Sequence, residues 1–122
     1  MSARSSTLPL PETLEQFRTK VNGDSRLRSI LRDWEPVILI EVLNTGWKQY
    51  LPVRDGRITE ITSDFMDISH VVRLRSSEET LVAIFDGRFN PLEAFLNGEL
   101  EIFATDVDQV KLDAISLVLW GV

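Results

Sequence analysis

The chain has 122 residues, a formal net charge of −6, 43% hydrophobic and 26% charged residues, one histidine and no cysteine. That length suits a single domain over residues 1–122 with one core, and no apolar run approaches the roughly 20 residues that a membrane-spanning helix needs. Without cysteine there are no disulfides, thiol nucleophiles, iron–sulfur clusters or cysteine zinc sites, and the net negative charge is the wrong sign for a nucleic-acid partner.

Residues 1–10, with Ser5 to Thr7 and Pro9, read as a flexible leader. Arg4 is not followed by an apolar stretch of signal-peptide length, so a cytoplasmic location is expected. Leu14, Phe17 and Val21 then stand at helical spacing until Asn22-Gly23. Asp24 or Ser25 can cap a second helix that carries Leu27, Ile30, Leu31 and Trp34 on one face before Pro36 ends it. Val37 to Leu43 and Trp47 to Val53, joined through Asn44-Thr45-Gly46, predict a hairpin, and Asp55-Gly56 turns into a third strand over Arg57 to Thr62. Ser63 to Ser69 reads as a polar loop. His70 to Arg75 alternates as a fourth strand, with Val72 and Leu74 on one side.

Ser76-Ser77-Glu78-Glu79 has the form of a capping box opening a helix that carries Leu81, Ile84 and Phe85 and stops at Gly87. Asn90-Pro91-Leu92-Glu93 repeats the device, with Leu92, Phe95 and Leu96 expected to face inward before Gly98. Glu99 to Ala104 alternates as a fifth strand, and Asp106 with Gln109 is expected to cap a last helix from Val107 to about Leu119. From Leu112 to Val122 the one charge is Asp113, so apolar residues cover most of that helix's circumference. Either protein buries it on two sides, or one side meets protein and the other an apolar ligand or partner.

Charge is uneven along the chain. Up to Arg54 eight cationic residues stand against six acidic ones, leaving five against thirteen in the remainder. The basic half reads as a solvated helix face or as a face turned to an anionic surface.

The order Arg73-Leu74-Arg75-Ser76-Ser77, Glu79-Thr80-Leu81, Gly87, Asn90-Pro91, Ala94, Asn97-Gly98 and Leu100-Glu101-Ile102, with Lys111-Leu112 beyond it, resembles the sterol carrier protein-2 family. The resemblance covers about the last fifty residues, and the first seventy agree in element order. It implies an α+β fold: a five-stranded, mainly antiparallel sheet with helices packed on it, enclosing a hydrophobic tunnel for sterols, fatty acids or acyl chains. The chain departs from the family in having Ala104-Thr105 where Gly-Asp is usual, and in its acidity, since animal lipid-transfer members are typically basic.

The function expected on that basis is a non-catalytic lipid carrier without cofactor or metal. Its apolar ligand, a fatty acid, acyl chain, sterol-like or prenyl lipid, would lie against Phe85, Phe89, Leu92, Phe95, Leu96, Phe103, Leu112, Ile115, Leu119 and Trp120. Membrane contact would be at most transient. An alternative is an accessory protein–protein module for a lipid- or quinone-modifying enzyme, or a homodimer, using the apolar last helix as interface. An isomerase or hydrolase built on Tyr50 with Asp64 or Asp67 is disfavoured, because Ser/Asp-rich loops ordinarily serve turns and caps. The lone His70 likewise lacks the companions of a metal site or triad.

Overall fold

Pro11 in the first turn, Glu12 near the helix N-terminus and Lys20 in the last turn all favour the first helix, α1 (Leu10–Asn22). The computed structural model describes residues 8–64 and 69–121. Leu10 is fully buried within α1, so the folded core starts inside the expected leader, whose residues 1–7 lie outside the described ones.

Asp24 caps α2 (Ser25–Ile30), accepting from the Arg26 and Leu27 amides. The helix ends a turn earlier than its spacing predicts. Residues 31–34 continue in i→i−3 turns, Arg32 N to Ser29 O and Trp34 N to Leu31 O, because the Trp34 side chain is held by a distant carboxylate.

The strands are β1 (Val37–Val42), β2 (Lys48–Arg54), β3 (Arg57–Ile58), β4 (Val71–Ser76) and β5 (Glu101–Phe103). They form one sheet in the order β3-β2-β1-β4-β5. Every neighbouring pair is antiparallel except β1 and β4, which run parallel in the register Val37 to Val71 through Val42 to Ser76. The third strand is shorter than predicted. After Ile58 the chain leaves β2 and touches it again at Thr62, which pairs with Tyr50. The short edge is satisfied from α1 instead: Asn22 exchanges two hydrogen bonds with Ile58, and Arg18 donates to the Ile58 and Thr59 carbonyls.

Asp55 and Gly56 both have positive φ, 53° and 76°, as a tight type I′-like hairpin requires. A Cβ on Gly56 would lie 2.4 Å from the Arg28 carbonyl oxygen, which is main chain and cannot swing aside. Gly56→Ala is therefore expected to cost about 3 kcal/mol in urea unfolding, from left-handed strain plus forced separation of the hairpin from α2. A loss below about 1 kcal/mol would refute the packing argument.

The helices α3 (Glu78–Phe85), α4 (Pro91–Leu96) and α5 (Asp106–Trp120) complete the fold. Two caps sit one residue from their predicted places. Ser76 still belongs to β4, and its hydroxyl donates to the Glu99 carbonyl, so Ser77 caps α3 and accepts from the Thr80 amide. For α5 the capping box is Thr105 with Asp108 rather than Asp106 with Gln109, since other groups draw the Asp108 side chain inward. Thr105 is the family departure noted above, and it fulfils the capping role.

α4 is less deeply buried than expected. It packs by the fully buried Ala94, while Leu92, Phe95 and Leu96 are 58%, 43% and 72% exposed. A helix of fewer than two turns cannot bury both faces, and the small alanine allows the closer approach. The main core lies between the helices and the sheet face carrying Ile38, Ile40, Leu51, Val53, Val72 and Leu74. Val37, Leu39 and Tyr50 form a second, smaller cluster on the other face.

A candidate lipid cavity beneath the last helix

Strand alternation decides the floor of the site. Ile38 of β1, Leu74 of β4 and Ile102 of β5 share the helix-covered face, as does Leu100 just before β5, and together they underlie a cavity of about 280 Å³. α3 contributes Leu81, Ile84 and Phe85, and α1 contributes Phe17. Pro91, Leu92 and Phe95 of α4 form one side. α5 closes the top with Gln109, Leu112, Asp113, Ile115, Ser116 and Trp120, mostly in the i, i+3, i+4, i+7 row that one helix face presents.

α5 is pinned near both ends. Asp108, 1% exposed, accepts on Oδ1 from Trp34 Nε1 at 2.7 Å and on Oδ2 from the Thr105 amide at 3.0 Å. His70 Nε2 also lies 2.8 Å from Oδ1. Burial raises the Asp108 pKa, but bonds from the Thr105 amide, Trp34, His70 and the Thr105 hydroxyl outweigh it, leaving the carboxyl below its ordinary value of 3.8. An ionised carboxylate only accepts, so His70 Nε2 carries the hydrogen. A carboxylate committed in this way is a brace and a poor proton acceptor. One turn on, Lys111 Nζ donates to the Ile30 carbonyl at 2.6 Å. At the far end Trp120 stacks on Phe17, with centroids 6.0 Å apart, and Phe17 meets Phe85 edge to face at 4.8 Å. Trp120 Nε1 is buried with no hydrogen-bond partner among the described residues.

Between these anchors α5 is lightly packed, with Asp108 and Ile115 its buried residues. One side covers the cavity. On the outside Val107, Val110 and Leu117 are each more than 60% exposed.

Of the ten residues expected to meet a ligand, Phe85, Leu92, Phe95, Leu112, Ile115 and Trp120 line this cavity. Phe89 and Leu119 pack against the main core away from it. Leu96 points to solvent on α4. Phe103 lies on the opposite face of β5, with the Arg73 guanidinium 5.8 Å from its ring centroid. Parity along Leu100-Glu101-Ile102-Phe103 was the available signal, since residues of one parity share a face. The helical row through Gln109, Asp113 and Ser116 was equally available, whereas nothing local marks Phe17. Tyr50 lies in the cluster on the opposite sheet face and Asp64 is exposed, while Asp67 lies outside the described residues. Among the described residues no three His, Cys, Asp or Glu side chains are grouped to hold a metal, and no helix is long and apolar enough to cross a membrane.

The model of the SCP-2 sterol transfer family matches residues 14–103. The chain belongs to this family. No curated protein sequence matches it. Among solved structures, the sterol carrier protein domain 2 of Helicoverpa armigera is similar with a TM-score of 0.69 at 17% identity, over 100% of this chain and 96% of that one. The ubiquinone synthesis protein UbiJ-SCP2 has a TM-score of 0.68 at 13% identity, over 89% and 93%. Palmitated SCP2L2 from Aedes aegypti has a TM-score of 0.60 at 12% identity, over 88% and 95%. At these identities the likeness shows the SCP-2 fold, the α+β architecture with a mostly antiparallel sheet. SCP-2 membership implies lipid binding or transfer, and SCP-2 domains are generally carriers rather than catalysts.

Proposed function

We propose that this SCP-2 domain is a non-catalytic carrier that holds an apolar lipid in the cavity between its sheet and α5. The observation that carries the reading is the cavity itself: about 280 Å³ bounded by side chains from the sheet and four helices and covered by a helix anchored near its ends. That volume is close to the lower limit, about 300 Å³, of ordinary small-molecule sites, and the lining is mostly aliphatic and aromatic. A single acyl or prenyl chain suits it. The palmitated relative supports an acyl occupant. A cytoplasmic location, where thiols and not disulfides are the rule, accords with a sequence without cysteine.

Native mass spectrometry followed by denaturing extraction tests the proposal directly. A near-stoichiometric lipid is the expected result, and a protein that is clean and takes up no apolar fluorescent probe would overturn it. Leu112→Trp is expected to weaken probe binding at least tenfold by filling the cavity, while far-UV circular dichroism stays native because Leu112 is only half-buried. Unchanged affinity in that variant would place the ligand elsewhere.

A second reading is favoured by the outer side of α5, where Val107, Val110 and Leu117 are exposed. The domain would then serve as an accessory module to a lipid- or quinone-modifying enzyme, or self-associate through that side; the relative named for ubiquinone synthesis supports this. Leu117→Lys separates the readings, since it should abolish association and spare cavity binding.

A further inference from the structure

The polar side-chain groups on the cavity wall all come from α5. Gln109 and Ser116 are half-buried, Asp113 between them is exposed at the rim, and Trp120, one turn beyond Ser116, adds a buried indole N–H without a partner among the described residues. No lysine, arginine or histidine is among the lining residues. The nearest cation on this helix, Lys111, is spent on the Ile30 carbonyl, and Arg88 beyond α3 pairs with Asp86 at 2.7 Å. Beyond Arg54, where most of the cavity wall originates, acidic residues outnumber basic ones thirteen to five. A fatty-acid carboxylate brought to this rim would meet a like charge and no counter-ion. A hydroxyl differs, since it can donate to Asp113 or the Gln109 carbonyl and accept from Ser116 or the Gln109 amide. An ammonium group would find one exposed carboxylate but would lose water against two neutral partners.

We propose, building on the lipid-carrier reading, that the occupant's polar end is an uncharged hydroxyl held against Gln109, Asp113 and Ser116, and that the site discriminates against carboxylates. The ligand class is a long-chain or prenyl alcohol, or a neutral glyceride, rather than a free fatty acid.

The test is displacement of Nile red, itself uncharged, by dodecanol, dodecanoate and dodecylamine at about pH 8, well above the carboxylate range. Dodecanol is expected to bind at least tenfold more tightly than dodecanoate. In Asp113→Lys the dodecanoate affinity should rise to match or exceed that of dodecanol, and Asp113→Asn should narrow the gap. Because Asp113 is exposed, both variants should fold, and circular dichroism checks this. Equal binding of acid and alcohol by the unmodified protein, tightest binding of the amine, or an acid-to-alcohol ratio untouched by Asp113→Lys would overturn this inference alone. Failure of Nile red and all three amphiphiles to bind would overturn the lipid-carrier reading, and this one with it.

Discussion

Asp108→Ala is expected to lower the unfolding free energy by about 2–4 kcal/mol near neutral pH. The carboxylate is buried and takes hydrogen bonds from Trp34, His70 and the Thr105 amide. Alanine leaves the buried Trp34 N–H unpaired, at about 1–3 kcal/mol, and breaks half of the α5 capping box, at about 1 kcal/mol more. The His70 ring is partly exposed and can turn to water, so it adds little.

The sign with pH follows from the lowered pKa. A carboxyl held below its unfolded value of about 3.9 contributes stability that is fully present above that value and is lost as pH falls through the folded one. The difference between wild type and Asp108→Ala should therefore be constant from neutrality to about pH 5 and shrink below about pH 4. Urea melts across that range provide the measurement. A difference under 1 kcal/mol, or one that persists undiminished at the acid end, would show that Asp108 is not the brace described.

Gly87→Ala should damage both stability and ligand binding, by about 2–4 kcal/mol and at least tenfold respectively. Gly87 has φ of 86°, and a Cβ there would stand 2.5 Å from Trp120 Cδ1 and 2.8 Å from Nε1. The indole has little room to retreat, because its ring stacks on Phe17, so it must enter the cavity or lift the end of α5. Gly98→Ala is the control, with φ of 78° and nothing within 4 Å of the added methyl. It meets the left-handed backbone cost of about 1–2 kcal/mol and no clash. The excess of Gly87→Ala over Gly98→Ala, with altered Trp120 emission, measures the contact; equal losses would mean that the ring moves freely.

Much of the fold was legible because each element shows its period. The apolar rows of α1 and α3, the alternation of β4 and the turn residues at Asn44 to Gly46 and Asp55-Gly56 all stand where the structure uses them. The errors occurred where local patterns are degenerate and a distant partner decides. Ser76 and Ser77 can both cap a helix, and β4 takes the first. Thr105 and Asp106 both can, and the pull of Trp34 and His70 on Asp108 selects Thr105. Spacing gives the apolar face of α4 but not how deeply a short helix sinks it, so Leu92 and Phe95 border the cavity while largely exposed and Leu96 faces solvent. Phe103 is apolar and stands next to Ile102, but strand parity puts Ile102 and not Phe103 on the cavity side. The cavity's polar wall was legible as a helical row, but its meaning depends on the lack of a facing cation, a tertiary fact.

The parallel pairing of β1 with β4 bears on the order in which the molecule assembles. The β1-β2-β3 meander closes over short turns and is kinetically cheap, whereas the seam between β1 and β4 must bring residue 37 to residue 71 before its first bond forms. The cavity floor straddles that seam, with Ile38 on one strand and Leu74 on the other. A nascent chain therefore has nowhere to receive an apolar guest until its highest-contact-order pairing is made, and loading belongs to the end of folding.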